Sequence, residues 1–117
     1  MTTDDVAAVD RHRLDVLIGF GKDPHLDAAP PDPYPGEGTP EWSAGFEDLS
    51  QGVRVSVWFV RDPEERGAAG AKLASEPGAQ VGTNGGMLLC ARSAASRASE
   101  EAAARVRELA TRFAGKE

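Results

Sequence analysis

The 117-residue chain has a single cysteine, Cys90, and no long run of apolar residues. One cysteine cannot form an internal disulfide, so the fold does not depend on an oxidising compartment. A membrane-spanning helix needs about 18 apolar residues in a row, and acidic residues open the chain where a signal peptide would be basic and then apolar. These absences predict a cytoplasmic protein, with an exported domain whose signal was removed as the alternative.

The chain also has no excess of positive charge, because its net charge is −6. Binding to the phosphate backbone requires a basic surface, so direct nucleic-acid binding is not expected. Residues 1–50 hold eleven acidic and three basic residues, whereas residues 51–117 hold eight and ten. Three interpretations are open: a solvated acidic surface, an acidic half lying over a basic face of the other half, or an acidic patch that docks a cationic partner.

Recognisable catalytic and metal-binding motifs are missing as well. Two histidines and one cysteine give none of the spacings of zinc sites. The glycine-rich stretch 82–86 lacks the Lys-Ser/Thr ending of a nucleotide-binding loop, and no serine lies in a Gly-x-Ser-x-Gly elbow. Cys90 follows Leu89 in an apolar stretch, which predicts a buried, unreactive thiol. We therefore predict no metal, no cofactor and no catalytic residue, and we favour a protein that is not an enzyme.

The densest run of β-branched and aromatic residues, Val53 to Val60, predicts a central strand. Alternation places Val53, Val55, Val57 and Phe59 on one face, and Arg54, Ser56, Trp58 and Val60 on the other. The first face is wholly apolar, so we expect it to carry the helices. The second face, with Arg54 and Trp58, is expected to be the open side of the sheet.

Residues 21–41 contain six of the eight prolines, so this Pro-rich segment is predicted to form neither helix nor central strand. Irregular or polyproline II structure is expected instead. Long loops of this kind are uncommon inside compact domains and are usually functional or disordered. Tyr34 and Trp42 provide apolar anchors that would let the segment pack back on the body of the protein.

Other elements follow from periodicity and capping signals. We expect a short helix over 4–12 and a strand over 14–20, with one helix over the whole stretch as the alternative. Trp42, Phe46 and Leu49, spaced four and three apart, predict one or two helical turns. Asp62-Pro63 predicts a helix over 63–75 with Glu65 completing a capping box. A hairpin is predicted across Asn84-Gly85, and a helix over 97–114 should bury Ala102, Val106, Leu109 and Phe113.

These elements predict one α+β domain over residues 1–117. Its architecture would be a small two-layer sandwich, with a mixed or antiparallel sheet, helices on one face and a ferredoxin-like character.

The candidate binding residues are Tyr34, Trp42, Arg54 and Trp58, at the junction of the Pro-rich segment and the open sheet face. Trp58 has two interpretations: it covers the sheet beneath the segment, or it forms an aromatic interaction surface with Tyr34 and Trp42. We favour a noncatalytic protein-interaction module, such as an accessory subunit, an adaptor or an immunity-type inhibitor. The alternative is a small-molecule-binding domain or minor enzyme with its site between the sheet and the segment. The expected partners are a protein with a basic surface and a second copy of the chain.

Overall fold

The computed structural model describes residues 24–76, 78–93 and 100–114. They form a five-stranded antiparallel sheet with two helices packed against it, which confirms the predicted α+β class. The sheet order is β1-β2-β3-β5-β4. In chain order the elements are β1 (Asp27–Ala29), β2 (Trp42–Asp48), β3 (Val53–Phe59), α1 (Pro63–Ala74), β4 (Ala79–Asn84), β5 (Met87–Ser93) and α2 (Glu100–Ala114).

The predicted central strand is the middle strand of this sheet. β3 pairs with β2 on one side and with β5 on the other, over its whole length. Val53, Val55 and Val57 are at most 2% exposed. They form one core cluster with β2, β5 and the buried stripe of α2, which contains Ala102, Val106, Leu109, Ala110 and Phe113. The predicted buried stripe of the last helix is therefore confirmed, and residues 97–99 of that prediction lie outside the described residues.

The two helices pack on opposite faces of the sheet, so the expectation that both share one face was wrong. Ala69 and Leu73 of α1 belong to a second cluster with Trp58, Leu88 and Cys90. Trp58 and its β5 neighbour lie on the face opposite the valines, because successive side chains of a strand alternate. The short connection after β3 returns α1 to this second face, which the sequence pattern alone does not reveal.

The residues from Trp42 to Asp48 form a strand and not the predicted helical turns. A spacing of four residues suits one face of a helix and one face of a strand equally well. Trp42 and Phe46 therefore share the sheet face that also holds Ala44, while Leu49 lies beyond the strand and is 65% exposed. The helical interpretation depended on Leu49, and that residue does not contribute to the core.

The remaining local predictions have mixed outcomes. Helix α1 begins at Pro63 with Asp62 as its N-cap, whose Oδ1 accepts the Glu64 N–H at 3.0 Å, as predicted. The β4–β5 hairpin also forms, but its two-residue turn is Gly85-Gly86. The predictions for residues 4–20 lie outside the described residues. Within the described ranges, no helix is long and apolar enough to cross a membrane.

Candidate functional site

The Pro-rich segment crosses the Trp58 face of β3, and Asp32 fastens it there. The Asp32 N–H donates to Ser56 Oγ at 2.9 Å, and the Asp32 carbonyl accepts from Trp58 Nε1 at 3.2 Å. Its carboxylate pairs with Arg92 at 2.5 Å and lies 3.6 Å from Arg54. The main chain and the side chain of Asp32 are thus both bound to the sheet. Beneath them, Ser56 and Trp58 are each only 2% exposed.

The Asp32 carboxylate compensates a repulsive pair within the sheet. Arg54 and Arg92 are directly opposite each other on β3 and β5, and like charges in this arrangement destabilise strand pairing. Burial alone would lower the pKa of Arg92, but the charge and hydrogen bond of Asp32 raise the pKa above its ordinary value. Arg54 also donates to the Pro30 carbonyl at 3.2 Å. Docking of the segment and stability of the central strands are therefore coupled.

Tyr34 fastens the second half of the segment. Its ring lies 5.9 Å from that of Trp58, at 57°, and its hydroxyl donates to Glu65 Oε1 at 2.9 Å. The Gly38 N–H donates to the same oxygen at 3.0 Å. The Gly38 bond, followed by the Tyr34 bond, lowers the pKa of Glu65. Burial, helped by Glu65, raises the pKa of Tyr34 to about 12. Glu65, predicted as part of a capping box, therefore holds the segment against α1.

A cavity of about 290 Å³ lies on the outer side of Tyr34, between the segment and the start of α1. Its lining includes the carboxylates Glu41, Asp62 and Glu65, together with one cation, Arg61. Glu41 pairs with Arg61 at 3.0 Å, and Asp62 caps α1. The cavity is therefore acidic, and its carboxylates already have partners within the protein.

Three of the four predicted binding residues meet on one face of the sheet. Tyr34 contacts Trp58, and Arg54 lies further along the same strand face, beside Asp32. Trp42 lies on the opposite face, where its ring is 5.9 Å from that of Phe59. Its buried Nε1 has no hydrogen-bond partner among the residues that the structure describes. The structure therefore does not bring Trp42 into one aromatic cluster with the other two rings.

A second polar cluster lies where β2 ends and α2 passes over the sheet. Asp48 is 2% exposed and accepts from Ser50 Oγ at 2.5 Å, from Gln51 N–H at 3.2 Å and from Arg105 Nε at 3.0 Å. Burial raises the pKa of Asp48, but the bonds from Ser50 and Arg105 outweigh it and lower the pKa. An open cavity of about 580 Å³ lies beside this cluster, and His25 also lines it.

Other sequence-based candidates give no chemistry in the described part of the chain. Cys90 is buried, and burial raises the pKa of its thiol to about 11, so the reactive thiolate is suppressed. Within residues 24–76, 78–93 and 100–114, no group of three or more His, Cys, Asp or Glu side chains is arranged to hold a metal ion.

The sequence reasoning missed Asp32 and Glu65 as the residues that organise this site. Asp32 could have been found from the sequence, because it is a single acidic residue between prolines and the second half of the chain is rich in arginine. Nothing in the sequence indicated this role for Glu65, because the predicted capping box already explained a glutamate at that position. Comparisons with protein-family models, with curated protein sequences and with solved structures found no match.

Proposed function

We propose that the chain is a noncatalytic protein-interaction module whose recognition surface is the outer side of the docked Pro-rich segment. The supporting observation is that the chemically capable side chains beneath the segment are bound internally. Asp32, Trp58 and Glu65 all hold the segment in place. They therefore act as a scaffold, while the outer side of the segment faces solvent.

The outer side has the character of a preformed ligand. Pro30 and Pro33 are exposed and lie three residues apart, the repeat of a polyproline II helix. Glu37 and Glu41, further along, are exposed and acidic. A segment already fixed in shape loses little conformational entropy on binding, which favours affinity. A partner with a basic surface and an aromatic groove suits this combination.

The test is capture of a partner from lysate of the source organism, at micromolar concentration, with and without changes to the outer side. The variant Glu37→Arg with Pro33→Gln alters two exposed residues of the segment. The control Glu100→Arg with Thr111→Gln makes matched changes on exposed positions of α2. We expect a defined protein to be retained by the wild type and by the control and lost with the segment variant. Retention by all three chains, or by none, would contradict the proposal.

The acidic cavity beside Tyr34 supports a second candidate function, the binding of a small cation that competes with Arg61 for Glu41 and shares the Glu65 carboxylate with Tyr34. Its volume of about 290 Å³ suits a ligand the size of a primary amine or a guanidinium compound. Titration with such compounds should shift the amide NMR signals of Gly38 and Glu65, which belong to the cavity wall. Unchanged signals at millimolar ligand would eliminate this function and would leave the protein-interaction proposal untouched.

A further inference from the structure

The two edges of the described sheet differ strongly. β1 has only three residues, one of them Asp27, and Pro30 and Pro31 follow it closely. β4 has six residues, Ala-Gln-Val-Gly-Thr-Asn, with no proline and no charge. Its pairing with β5 runs without a bulge. Natural edge strands are normally protected by short length, charge, proline or a bulge. Among the described residues, β1 has such protection, and β4 has none of these four kinds.

Unpaired backbone groups on the outer side of β4 can be assigned from the register. Asn84 and Met87 close the two-residue turn, so they form the hydrogen-bonded pair nearest to it. Hydrogen-bonded and non-hydrogen-bonded pairs alternate along two antiparallel strands, so the backbone N–H and C=O groups of Gly82 also point to β5. Those of its two neighbours in the strand point away from β5. The backbone groups of Val81 and Thr83 therefore point outward from the described sheet.

Helix α1 leaves this edge open to close approach. Ala69 and Leu73 face the sheet, and Glu65 and Lys72 turn toward the Pro-rich segment over β3, where Lys72 Nζ donates to the Pro35 carbonyl at 3.4 Å. At about 100° per residue, the opposite flank of α1, above the β4 edge, carries small residues. These are Gly67, Gly70 and Ala74. A Cβ built on Gly67 meets no atom within 4 Å, and one on Gly70 meets Val81 of β4 at 3.6 Å.

Helix α2 has a similar flank on the other face. Arg105 turns toward β2, where it pairs with Asp48. By the same helical geometry, the flank above the β4 edge carries Ala103, Arg107 and Ala114. The placement of Ala114 agrees, because a Cβ on Gly82 of β4 would lie 3.8 Å from the Ala114 Cβ. Among these three residues, Arg107 has the long side chain.

We propose that β4 pairs antiparallel with β4 of a second copy about a two-fold axis, so that one continuous sheet runs through a homodimer. Antiparallel pairing of a strand with itself is self-complementary, since the outward groups of Val81 and Thr83 meet the same groups of the second copy. The small flanks let the helices of the two copies come together above and below the joined strands.

The estimated area of the contact suits a dimer of moderate affinity. Six strand residues span about 20 Å, and the three layers are about 30 Å thick, which gives roughly 600 Å² per copy. The total of roughly 1,200 Å² is at the lower end for specific interfaces, so dissociation in the micromolar range is expected.

Charge also favours a second copy at this edge. Three exposed acids, Asp27, Glu37 and Glu41, lie with β1, β2 and the Pro-rich segment, at the far side of the sheet, whereas Glu76, just before β4, is paired with Arg92. Pairing through β4 keeps the acidic parts of the two copies apart, whereas β4 itself contributes no charge to repel its equivalent.

The test is sedimentation velocity of the full chain over a concentration series from about 1 µM to 1 mM, spanning the dissociation range expected for an interface of this size. The mass should rise from that of one 12.3 kDa chain to twice that value. Gly67→Arg, whose added Cβ meets no atom within 4 Å, and Thr83→Lys, which adds a charge to the edge, should each weaken dimerisation by at least about tenfold. The controls are Ala68→Arg, one position along the same helix, and Ala104→Lys, at an exposed position of α2 directly opposite its buried stripe; both should dimerise like the wild type.

Circular dichroism of each variant establishes that it remains folded. A chain that stays monomeric up to 1 mM would overturn the proposal. So would a dimer that Gly67→Arg and Thr83→Lys leave unchanged, or assembly into species that grow beyond two copies. The proposal does not depend on the function proposed above, because neither variant changes the outer side of the Pro-rich segment.

Discussion

Tyr34 is the only tyrosine in the chain, so its ionisation reports directly on docking of the Pro-rich segment. Its hydroxyl is 2.9 Å from Glu65 Oε1, and burial together with this carboxylate raises its pKa from 10.0 to about 12. A released Tyr34 would titrate near pH 10. The absorbance of the phenolate at about 295 nm, followed after rapid pH jumps, gives the pKa of Tyr34 in the folded protein.

The substitution Glu65→Gln separates the two causes of the raised pKa. It removes the carboxylate charge and keeps the side-chain length, while burial, the larger cause, remains. The pKa of Tyr34 should therefore fall to a value between 10 and 12. The adjacent exposed Glu64→Gln is the matched control and should leave the titration unchanged, because Glu64 does not contact Tyr34 in the structure.

Linkage gives the sign of the effect on stability. The folded pKa of Tyr34 lies above its unfolded value, so the neutral hydroxyl stabilises the folded chain below about pH 10. This contribution is lost as the pH rises from 10 toward 12. A wild-type titration at pH 10, or identical titrations for the wild type and Glu65→Gln, would refute the assignment of Tyr34 and Glu65 as the fastening of the segment.

Further predictions concern three residues in the body of the fold. Asp48→Ala removes the buried carboxylate that accepts from Ser50 and Arg105, and it should lower the free energy of unfolding by about 3 kcal/mol in urea at pH 7. Because folding lowers the pKa of Asp48, the ionised carboxylate stabilises the fold above about pH 4, and this stabilisation is lost as the pH falls further. Asp48→Asn should therefore weaken the dependence of the free energy of unfolding on pH in the acid range. An unchanged dependence on pH would contradict this. Gly45→Ala should destabilise by about 1–3 kcal/mol, since its Cβ would lie 2.6 Å from the Pro31 nitrogen, and a neutral result would refute that close approach. Native Cys90 should resist iodoacetamide at pH 8 and react after unfolding, whereas rapid native alkylation would show an exposed thiol.

Predictions from the sequence succeeded where one local signal decided the structure. The alternation in Val53 to Phe59 identified the central strand, and Asp62-Pro63 identified the start of α1. They failed where the same spacing suits both a helix and a strand, as it does for Trp42 and Phe46. They also failed where the outcome depended on a nonlocal contact, since the face chosen by α1 is set by packing of Leu73 against Trp58 and Cys90. The ferredoxin-like character stays a prediction.

The sequence did contain the information that brings the Pro-rich segment onto the sheet, in its charge distribution. In the described residues, ion pairs join acids of the first half to arginines of the second half on both faces of the sheet. Asp32 pairs with Arg54 and Arg92, and two other acids of the first half pair with arginines of the second: Glu41 with Arg61, and Asp48 with Arg105.

This pairing explains why the face of Arg54, Ser56 and Trp58 is covered although it looked open from the sequence. Strand pairing places Arg54 opposite Arg92, and this repulsion is offset by an anion from another segment, as Asp32 provides here beside the Glu76–Arg92 pair. A proline-rich chain provides one at low entropic cost, because it is already extended, and its Asp32 carbonyl accepts the Trp58 indole N–H as well. Polarity on that face therefore indicated a partner within the same chain, namely the Pro-rich segment that Asp32 fastens to Trp58 and Arg92.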